Sequence, residues 1–328
     1  MIAVTGSTGH IGNTLVRQLI KHGNKVRAVV SPRRFELPLK GVATEIATAD
    51  VNDLNALRKA FDGVHTVYHL AGYISITSNE AGILDRVNVQ GTRNVVQACI
   101  DMGVKRLIYT STIHALVEPP KGELITEILE HPEKVDIGTY SHSKIRATRE
   151  IIAGAEKGLD TVVVYPAGVF GPFDFYPSSM GKMIKLFLKG RSRFYISGGY
   201  NFVDVRDVAA GLIAACEKGK SGEGYLLSGE HITLNRLFDT LKKESGKNFA
   251  TLSLPYHVAM PGAYFVEYFS LLANKKPYFT PYSLKVLKSN GHADLQKSNA
   301  ALNYTPRNFE QSIKDTIDWF RGNNVSEL

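Results

Sequence analysis

The stretch Ile2-Ala3-Val4-Thr5-Gly6-Ser7-Thr8-Gly9-His10-Ile11-Gly12 decides the fold. Residues 2–5 form a short apolar run typical of a strand, and residues 11–22 carry apolar side chains at helical spacing. The glycine-rich segment between them therefore joins a strand to a helix. There Gly6 permits a tight turn, Gly9 lets backbone approach a pyrophosphate, and Gly12 lets the helix pack closely on the strand. An incidental flexible turn is the alternative, because the glycines are three residues apart and do not match GxGxxG.

Strand and helix patterns alternate over the first half of the chain. This alternation predicts an α/β fold with a doubly wound parallel sheet, a Rossmann fold covered by helices on both faces. Helix N-termini such as the one after residue 9 also offer free N–H groups to phosphates. The predicted strands are 2–5, 25–30, 43–48, 64–71, 105–110 and 160–165, and the predicted helices are 11–22, 53–61, 80–102 and 140–157.

The regularity weakens after Pro166, where Gly, Pro and aromatic residues cluster at 168–177 and 255–282. We predict a dinucleotide-binding Rossmann core over 1–170, with 205–230 returning to it. Residues 171–328 mainly form a smaller C-terminal α/β substrate-binding cap over the carboxyl edge of the sheet, where ligands bind in such folds. Further helices are expected at 178–189, 205–217, 233–245 and 309–321.

Composition places the chain among ordinary globular proteins, with 328 residues, 44% of them hydrophobic, and a net charge of +8. No apolar run approaches the length of a membrane span, and the opening residues leave no room for a signal peptide. Cys99 and Cys216 are expected to be free thiols, so a cytoplasmic location is predicted. The Lys and Arg residues are scattered without a recognisable motif, so neither nucleic-acid binding nor a metal site is expected.

The end of the second predicted strand bears on the choice of dinucleotide. An acidic residue there would bind a ribose 2′-hydroxyl, but the chain has Ser31-Pro32-Arg33-Arg34. Two guanidiniums suit a 2′-phosphate, which favours NADP(H), with NAD(H) as the second option. A solvated basic loop is the alternative interpretation. Asp50, after the third strand, is a candidate acceptor for the adenine amino group.

Tyr140 and Lys144 lie one helical turn apart on the same face of a predicted helix. A phenol titrates near ~10, and a neighbouring ammonium, together with the positive nicotinamide ring, favours the phenolate and lowers that pKa. The tyrosine could then exchange a proton with a carbonyl or an alcohol near neutral pH. The same spacing also occurs on ordinary surface helices.

The motifs together resemble those of the extended short-chain dehydrogenase/reductases of the NAD-dependent epimerase/dehydratase superfamily. The resemblance covers essentially the whole chain. It rests on the order of the glycine turn, Asp50, His69-Leu70-Ala71-Gly72, Asn88-Val89-Gln90-Gly91-Thr92, Tyr109-Thr110-Ser111-Thr112 and Tyr140 with Lys144.

The resemblance implies catalytic roles. Tyr140 would be the general acid/base, and Lys144 would hold the nicotinamide ribose. Thr112 would polarise the substrate carbonyl, although Ser111 beside it is an open alternative. Asn88 would support a water relay behind Lys144, or serve as a cap or buried polar contact.

The resemblance also implies contacts to the two ligands. A small-molecule carbonyl or alcohol would contact Tyr73, His114, Phe170, Phe173 and Tyr176. The dinucleotide would contact Gly6, Thr8, Gly9, His10, Ile11, Gly12, Ser31, Arg33, Arg34, Asp50, Val51, Leu70, Ala71, Gly72, Tyr140, Lys144, Pro166, Gly168 and Val169.

The segment Phe202-Val203-Asp204-Val205-Arg206-Asp207-Val208-Ala209 resembles the dihydroflavonol-reductase-like branch, which implies reduction of a ketone or aldehyde to an alcohol. A nucleotide-sugar epimerase or dehydratase is an alternative, but Tyr200 stands where those enzymes carry an arginine, and Ile113-His114 replaces the Asp-Glu pair of the dehydratases. A non-catalytic NADP-binding redox sensor would usually have lost Tyr140.

A 3β-hydroxysteroid-dehydrogenase-like enzyme is a further alternative, because the segment 256–272 is unusually apolar. This segment would line a large apolar pocket, touch a membrane surface or pack on the core. Family members often form homodimers through the helices at 80–102 and 140–157, while some reductases are monomers, so both states are open.

Overall fold

The computed structural model describes residues 1–32, 37–75, 80–120, 122–128, 138–272 and 280–323. A seven-stranded, fully parallel sheet forms its centre, in the order β10-β6-β5-β4-β1-β2-β3. Its strands are β1 (Ile2–Thr5), β2 (Val26–Val30), β3 (Glu45–Thr48), β4 (Thr66–His69), β5 (Arg106–Thr110), β6 (Asp160–Pro166) and β10 (Gly224–Leu227). The predicted α/β fold with a doubly wound parallel sheet is confirmed.

Two smaller sheets lie outside this centre. One joins β7 (Gly168–Phe170), β9 (Gly199–Asp204) and β11 (Glu230–Thr233), and the other joins β8 (Phe194–Ile196) to β12 (Leu252–Leu254). The sequence analysis did not predict these five strands, because each is short and lies in the irregular half of the chain.

Helices fill the connections between strands. They are α1 (His10–Lys21), α2 (Leu54–Ala60), α3 (Ala81–Leu84), α4 (Gly91–Asp101), α5 (Gly138–Glu156), α6 (Ser179–Leu188), α7 (Val205–Lys218), α8 (Leu234–Ser245), α9 (Tyr256–Leu272), α10 (Pro281–Val286), α11 (Gln296–Leu302) and α12 (Phe309–Gly322). The single helix predicted over 80–102 is instead α3 and α4 joined by a π-helical segment, Asp85–Gln90.

The helices form two groups. Helix α1 packs on α7, and α7 packs on α11, whereas α2 packs on α4 and α4 packs on α5. Because the strand order runs outward in both directions from β1 and β4, right-handed crossovers place the two groups on opposite faces. The carboxyl ends of β1 and β4 therefore flank the point where the winding reverses, which is where such sheets bind ligands.

Two apolar cores support these layers. The larger follows the main sheet and includes the fully buried Tyr68 and Tyr109, while the smaller lies between α6, α8 and α12 and includes Phe187 and Ile317. Strand β10 pairs with β6, and α11 packs on β10, so the chain returns to the main sheet after leaving it.

Residues of the segment 202–209 cap a helix and form ion pairs. The Asp204 side chain accepts a hydrogen bond from the backbone N–H of Arg206 and caps α7. The Arg206 guanidinium lies 2.7 Å from both Asp204 and Asp315, and Arg307 pairs with Asp207 at 2.7 Å. These ion pairs, in which Asp204 and Asp207 are buried, connect α7 to α12 and to the segment before it.

Candidate active site

The glycine turn lies against the end of β4. Gly6 has a φ of 66°, and a Cβ there would come within 2.6 Å of the Ala71 nitrogen. A Cβ on Gly12 would lie 2.1 Å from the Gly6 carbonyl oxygen, so α1 can start this close to β1 only with glycine at that position. The predicted strand, tight turn and helix are therefore confirmed.

The start of α1 fits an anionic dinucleotide. Its N-cap, Gly9, is exposed, and within the described residues no side chain caps the helix and no acidic residue occupies its first turn. The nearby Ser7 hydroxyl donates to the Val29 carbonyl instead, at 2.9 Å. The first N–H groups of α1 and its dipole are thus available to phosphate oxygens.

His10 and Asn13 join this turn to the loop after β7. His10 Nε2 hydrogen-bonds to the Pro172 carbonyl at 2.9 Å, and Asn13 Nδ2 donates to the Phe173 carbonyl at 3.2 Å. Phe173 has a positive φ of 67° and packs its ring on the Arg17 guanidinium, 5.3 Å from the ring centroid. His10, predicted as a dinucleotide contact, therefore holds a loop.

Lys144 connects α5 to the end of β5. Its ammonium donates to the Thr110 carbonyl at 2.7 Å and lies 4.4 Å from the centroid of the Tyr109 ring. The side chain is almost fully buried, and the loss of hydration lowers the pKa of Lys144 to about 7. Burial therefore makes the Lys144 ammonium more acidic than that of an exposed lysine.

The electrostatics of Tyr140 differ from the prediction. Burial raises the pKa of Tyr140, and the nearby phenol of Tyr282 raises it further. The expected lowering by Lys144 is absent here, because burial dominates and the neighbouring ammonium is bonded to the Thr110 carbonyl. Tyr140 consequently keeps its proton well above neutral pH. The lowering expected from a bound nicotinamide ring stays a prediction.

The two candidate hydroxyls after β5 have different surroundings. Ser111 shares a 3.0 Å hydrogen bond with Thr148, whose hydroxyl also donates to the Lys144 carbonyl. Thr112 begins the short three-ten helix Ile113–Ala115, and its oxygen accepts a 3.4 Å hydrogen bond from the His114 backbone. Ser111 thus serves the contact between β5 and α5, which favours Thr112 as the hydroxyl that faces a substrate.

Asn88 makes a buried polar contact from the π-helical segment. Its amide oxygen accepts from the Tyr73 backbone N–H at 2.7 Å, and its nitrogen donates to the Tyr73 carbonyl and to Ser143 Oγ. Ser143 in turn donates to the Tyr140 carbonyl. Asn88 therefore supports the start of α5, and its part in a water relay stays a prediction.

A cluster of aromatic side chains faces Tyr140. His114 Nε2 and the Tyr200 hydroxyl share a short hydrogen bond of 2.5 Å, and burial lowers the pKa of His114 to about 4. Burial raises the pKa of Tyr200, and the phenols of Tyr282 and Tyr140 add to that effect. The Tyr200 ring lies on Gly168, where a Cβ would come within 2.3 Å of it. Of the residues in this cluster, His114 alone had been predicted as a substrate contact.

The other residues predicted to contact the substrate have different surroundings. Phe170 is buried against Phe202 and Phe309 in the smaller core, and Phe173 packs near Trp319. Both placements favour a packing role over substrate contact. The Tyr73 hydroxyl donates to Glu80 at 2.6 Å, and Tyr176 is partly exposed.

The other residues predicted to contact the dinucleotide differ in their surroundings. Asp50 accepts two hydrogen bonds from Asn52, and Gly91 lies against Val51. Arg33 and Arg34 lie outside the described residues. Thr8 and Pro166 are buried, whereas Ile11, Ser31, Leu70, Ala71 and Val169 are partly exposed and Gly72 is exposed.

A family model for the NAD dependent epimerase/dehydratase family matches residues 2–228. The chain belongs to that family. It is an extended short-chain dehydrogenase/reductase, as its motifs indicated. It is also an NAD(P)-dependent enzyme.

Two relatives and one solved structure are similar to this chain over nearly its whole length. "Sterol demethylase protein B" of Methylococcus capsulatus is 34% identical over 97% of both chains. "Putative dihydroflavonol 4-reductase" of a Synechocystis species is 30% identical over 97% of this chain and 94% of the other. The crystal structure of gox2253 has a TM-score of 0.86 at 31% identity and covers 99% of each chain.

Proposed function

We propose that the protein is an NADP(H)-dependent oxidoreductase that reduces a ketone or aldehyde to an alcohol. One observation carries the proposal: the Lys144 ammonium is bonded to the Thr110 carbonyl. This contact holds the helix that bears Tyr140 against the end of β5, where Thr112 follows. The glycine turn lies at the same edge of the sheet, next to the end of β4.

The proposed chemistry divides between the dinucleotide and the protein. The dinucleotide, held by the glycine turn and the N-terminus of α1, supplies a hydride when bound. The Tyr140 and Thr112 hydroxyls donate hydrogen bonds to the substrate oxygen, where negative charge develops. Tyr140 then transfers its proton to that oxygen. Tyr140 keeps its proton at neutral pH and is therefore in the form that can donate it, while its raised pKa makes it a weaker acid than an exposed tyrosine.

Three features of the chain indicate which dinucleotide and which class of substrate it binds in this proposal. Arg33 and Arg34 favour NADP(H) because two guanidiniums suit a 2′-phosphate. Tyr200 places a phenol, bonded to His114, where nucleotide-sugar enzymes carry an arginine, which disfavours a diphosphate-linked substrate. The aromatic rings of Tyr200 and Tyr282, which lie near Tyr140, suit an apolar carbonyl compound.

A sterol-type alcohol or ketone is the second candidate substrate class. It is favoured by the name of the relative from Methylococcus capsulatus and by the apolar helix α9. Reduction of such a ketone would use the same proton transfer from Tyr140, and oxidation of such an alcohol would use the reverse transfer, from the substrate hydroxyl to Tyr140. A homodimer through α4 and α5, a cytoplasmic location and a substrate-binding role for residues 171–328 also stay predictions.

The proposal is tested by following NADPH and NADH oxidation by the purified full chain. The panel contains aromatic ketones, aliphatic aldehydes, 3-ketosteroids and UDP-sugars. We expect NADPH to be oxidised with at least one carbonyl compound and to be preferred over NADH. Interconversion of a UDP-sugar with no net NADPH oxidation by any carbonyl compound would contradict the proposal and favour an epimerase.

Replacing Thr112 by Val should separate the two candidate hydroxyls. We expect Thr112→Val to lower kcat/KM by about 10²-fold, because one donor to the developing oxyanion is lost. Ser111→Ala should lower thermal stability slightly, because it breaks the bond to Thr148, and should change kcat/KM by less than about threefold. Steady-state kinetics of both variants with the preferred carbonyl compound check this, and the reverse pattern would assign the role to Ser111.

A further inference from the structure

Helix α9 turns an apolar face towards solvent. Large parts of its Phe265 (66%), Tyr264 (59%), Phe269 (58%) and Val258 (56%) are exposed. The opposite side of α9 is anchored through Ala259 and Ala263, which pack with Leu284. Monomeric soluble proteins rarely expose this many large apolar side chains on one helix, and such faces mark interaction sites.

The exposed apolar surface continues onto the small β8–β12 sheet. Phe194 and Leu252 are paired across the two strands and are 63% and 57% exposed. Ile196, two residues after Phe194 and so on the same side of β8, packs with the residues that anchor α9. We call the six residues Phe194, Leu252, Val258, Tyr264, Phe265 and Phe269 the α9 face.

Basic side chains lie on α10 and on the segments that adjoin the α9 face in the sequence. The Lys288 ammonium lies 4.1 Å from the centroid of the Tyr256 ring at the first residue of α9. Arg193 directly precedes Phe194, and its guanidinium lies 5.8 Å from the Phe249 ring. Lys247 and Lys285 are exposed on the segments on either side, and α9 itself carries one acidic residue, Glu267. The whole chain has a net charge of +8.

We propose that the α9 face docks onto a membrane surface that contains anionic phospholipids. Aromatic and aliphatic side chains would enter the boundary between headgroups and acyl chains, while the adjoining Lys and Arg contact the phosphates. A second copy of the chain fits less well, because a symmetric contact through this face would bring two sets of basic side chains together. None of the described helices is long and apolar enough to cross a bilayer.

The experiment is vesicle flotation of the purified full chain. Vesicles of phosphatidylcholine alone are compared with vesicles that also contain phosphatidylglycerol, each at low and high salt. We expect binding to the anionic vesicles that weakens with salt, and little binding to the neutral ones. Phe265→Ser combined with Phe269→Ser should lower the bound fraction about tenfold, because both exposed rings would be lost from the interface.

Two matched variants control for general effects. Ile46→Ser removes an exposed apolar side chain from the edge strand β3, and Lys59→Gln removes an exposed charge from α2. Both should float like the unchanged protein, whereas Lys288→Gln should bind anionic vesicles more weakly.

Three outcomes would overturn the proposal. The first is the absence of binding to either vesicle, and the second is equal loss of binding in the Ile46→Ser control. The third is a dimer, measured by light scattering, that the Phe265→Ser/Phe269→Ser variant dissociates without any vesicle binding by the parent chain. This assay does not depend on the proposed reaction, so either can fail alone.

Discussion

Tyr140→Phe is expected to lower kcat for carbonyl reduction by about 10²–10⁴-fold, the usual contribution of a positioned acid. The change removes only the hydroxyl that would protonate the substrate oxygen. Cofactor affinity should stay within about twofold, because the glycine turn and the start of α1 are untouched. Stopped-flow reduction and NADPH titration, each with the same protein preparation, check the two expectations.

The matched control for this prediction is Tyr264→Phe, which makes the same chemical change on the exposed side of α9. It should leave kcat unchanged. If Tyr140→Phe kept a kcat near that of the control, the assignment of Tyr140 as the acid would be wrong. Loss of NADPH binding in Tyr140→Phe would instead assign Tyr140 to holding the cofactor.

Gly12→Ala is expected to damage both the turn and the affinity for the dinucleotide. The added Cβ would lie 2.1 Å from the Gly6 oxygen and 2.9 Å from the Ser7 Cα. Both are backbone atoms, so α1 must move away from β1. We expect the free energy of unfolding to fall by about 2–3 kcal/mol, within the usual cost of overpacking, and NADPH to bind at least about tenfold more weakly.

Denaturant unfolding and NADPH titration measure these two effects. Gly82→Ala in α3 is the matched control, because nothing lies within 4 Å of the Cβ position there. It should leave NADPH binding intact and change stability little. If Gly12→Ala had the same free energy of unfolding and the same NADPH affinity as the unchanged protein, the turn would tolerate a side chain. The argument that α1 must approach β1 closely would then be wrong.

The main sheet could be predicted from the sequence because its signals are local. The strand β1 and the cap of α2 by Asp53, which accepts from the Ala56 N–H, depend on neighbours a few residues apart. The β8–β12 pairing joins residues more than fifty positions apart in an irregular segment. No periodic pattern marks so short a pairing, and so it was missed.

The candidate site was predictable where a motif carried it. Tyr140 and Lys144 are one helical turn apart in the sequence, and the structure keeps them on α5. Tyr282 reaches the same cluster from α10, and its hydroxyl shares a 3.2 Å hydrogen bond with Ser141. No local pattern indicates such a contact. The pKa of Tyr140 was missed for a related reason, since burial depends on the complete fold.

The hydrogen bonds from His10 and Asn13 to the loop at Pro172 and Phe173 have a consequence for how two ligands affect each other's binding. A ligand that stiffens the start of α1 also stiffens this loop, so less entropy remains to be lost when a second ligand orders it. Thermodynamic linkage makes the effect reciprocal. The two ligands would then strengthen each other's binding by the same factor.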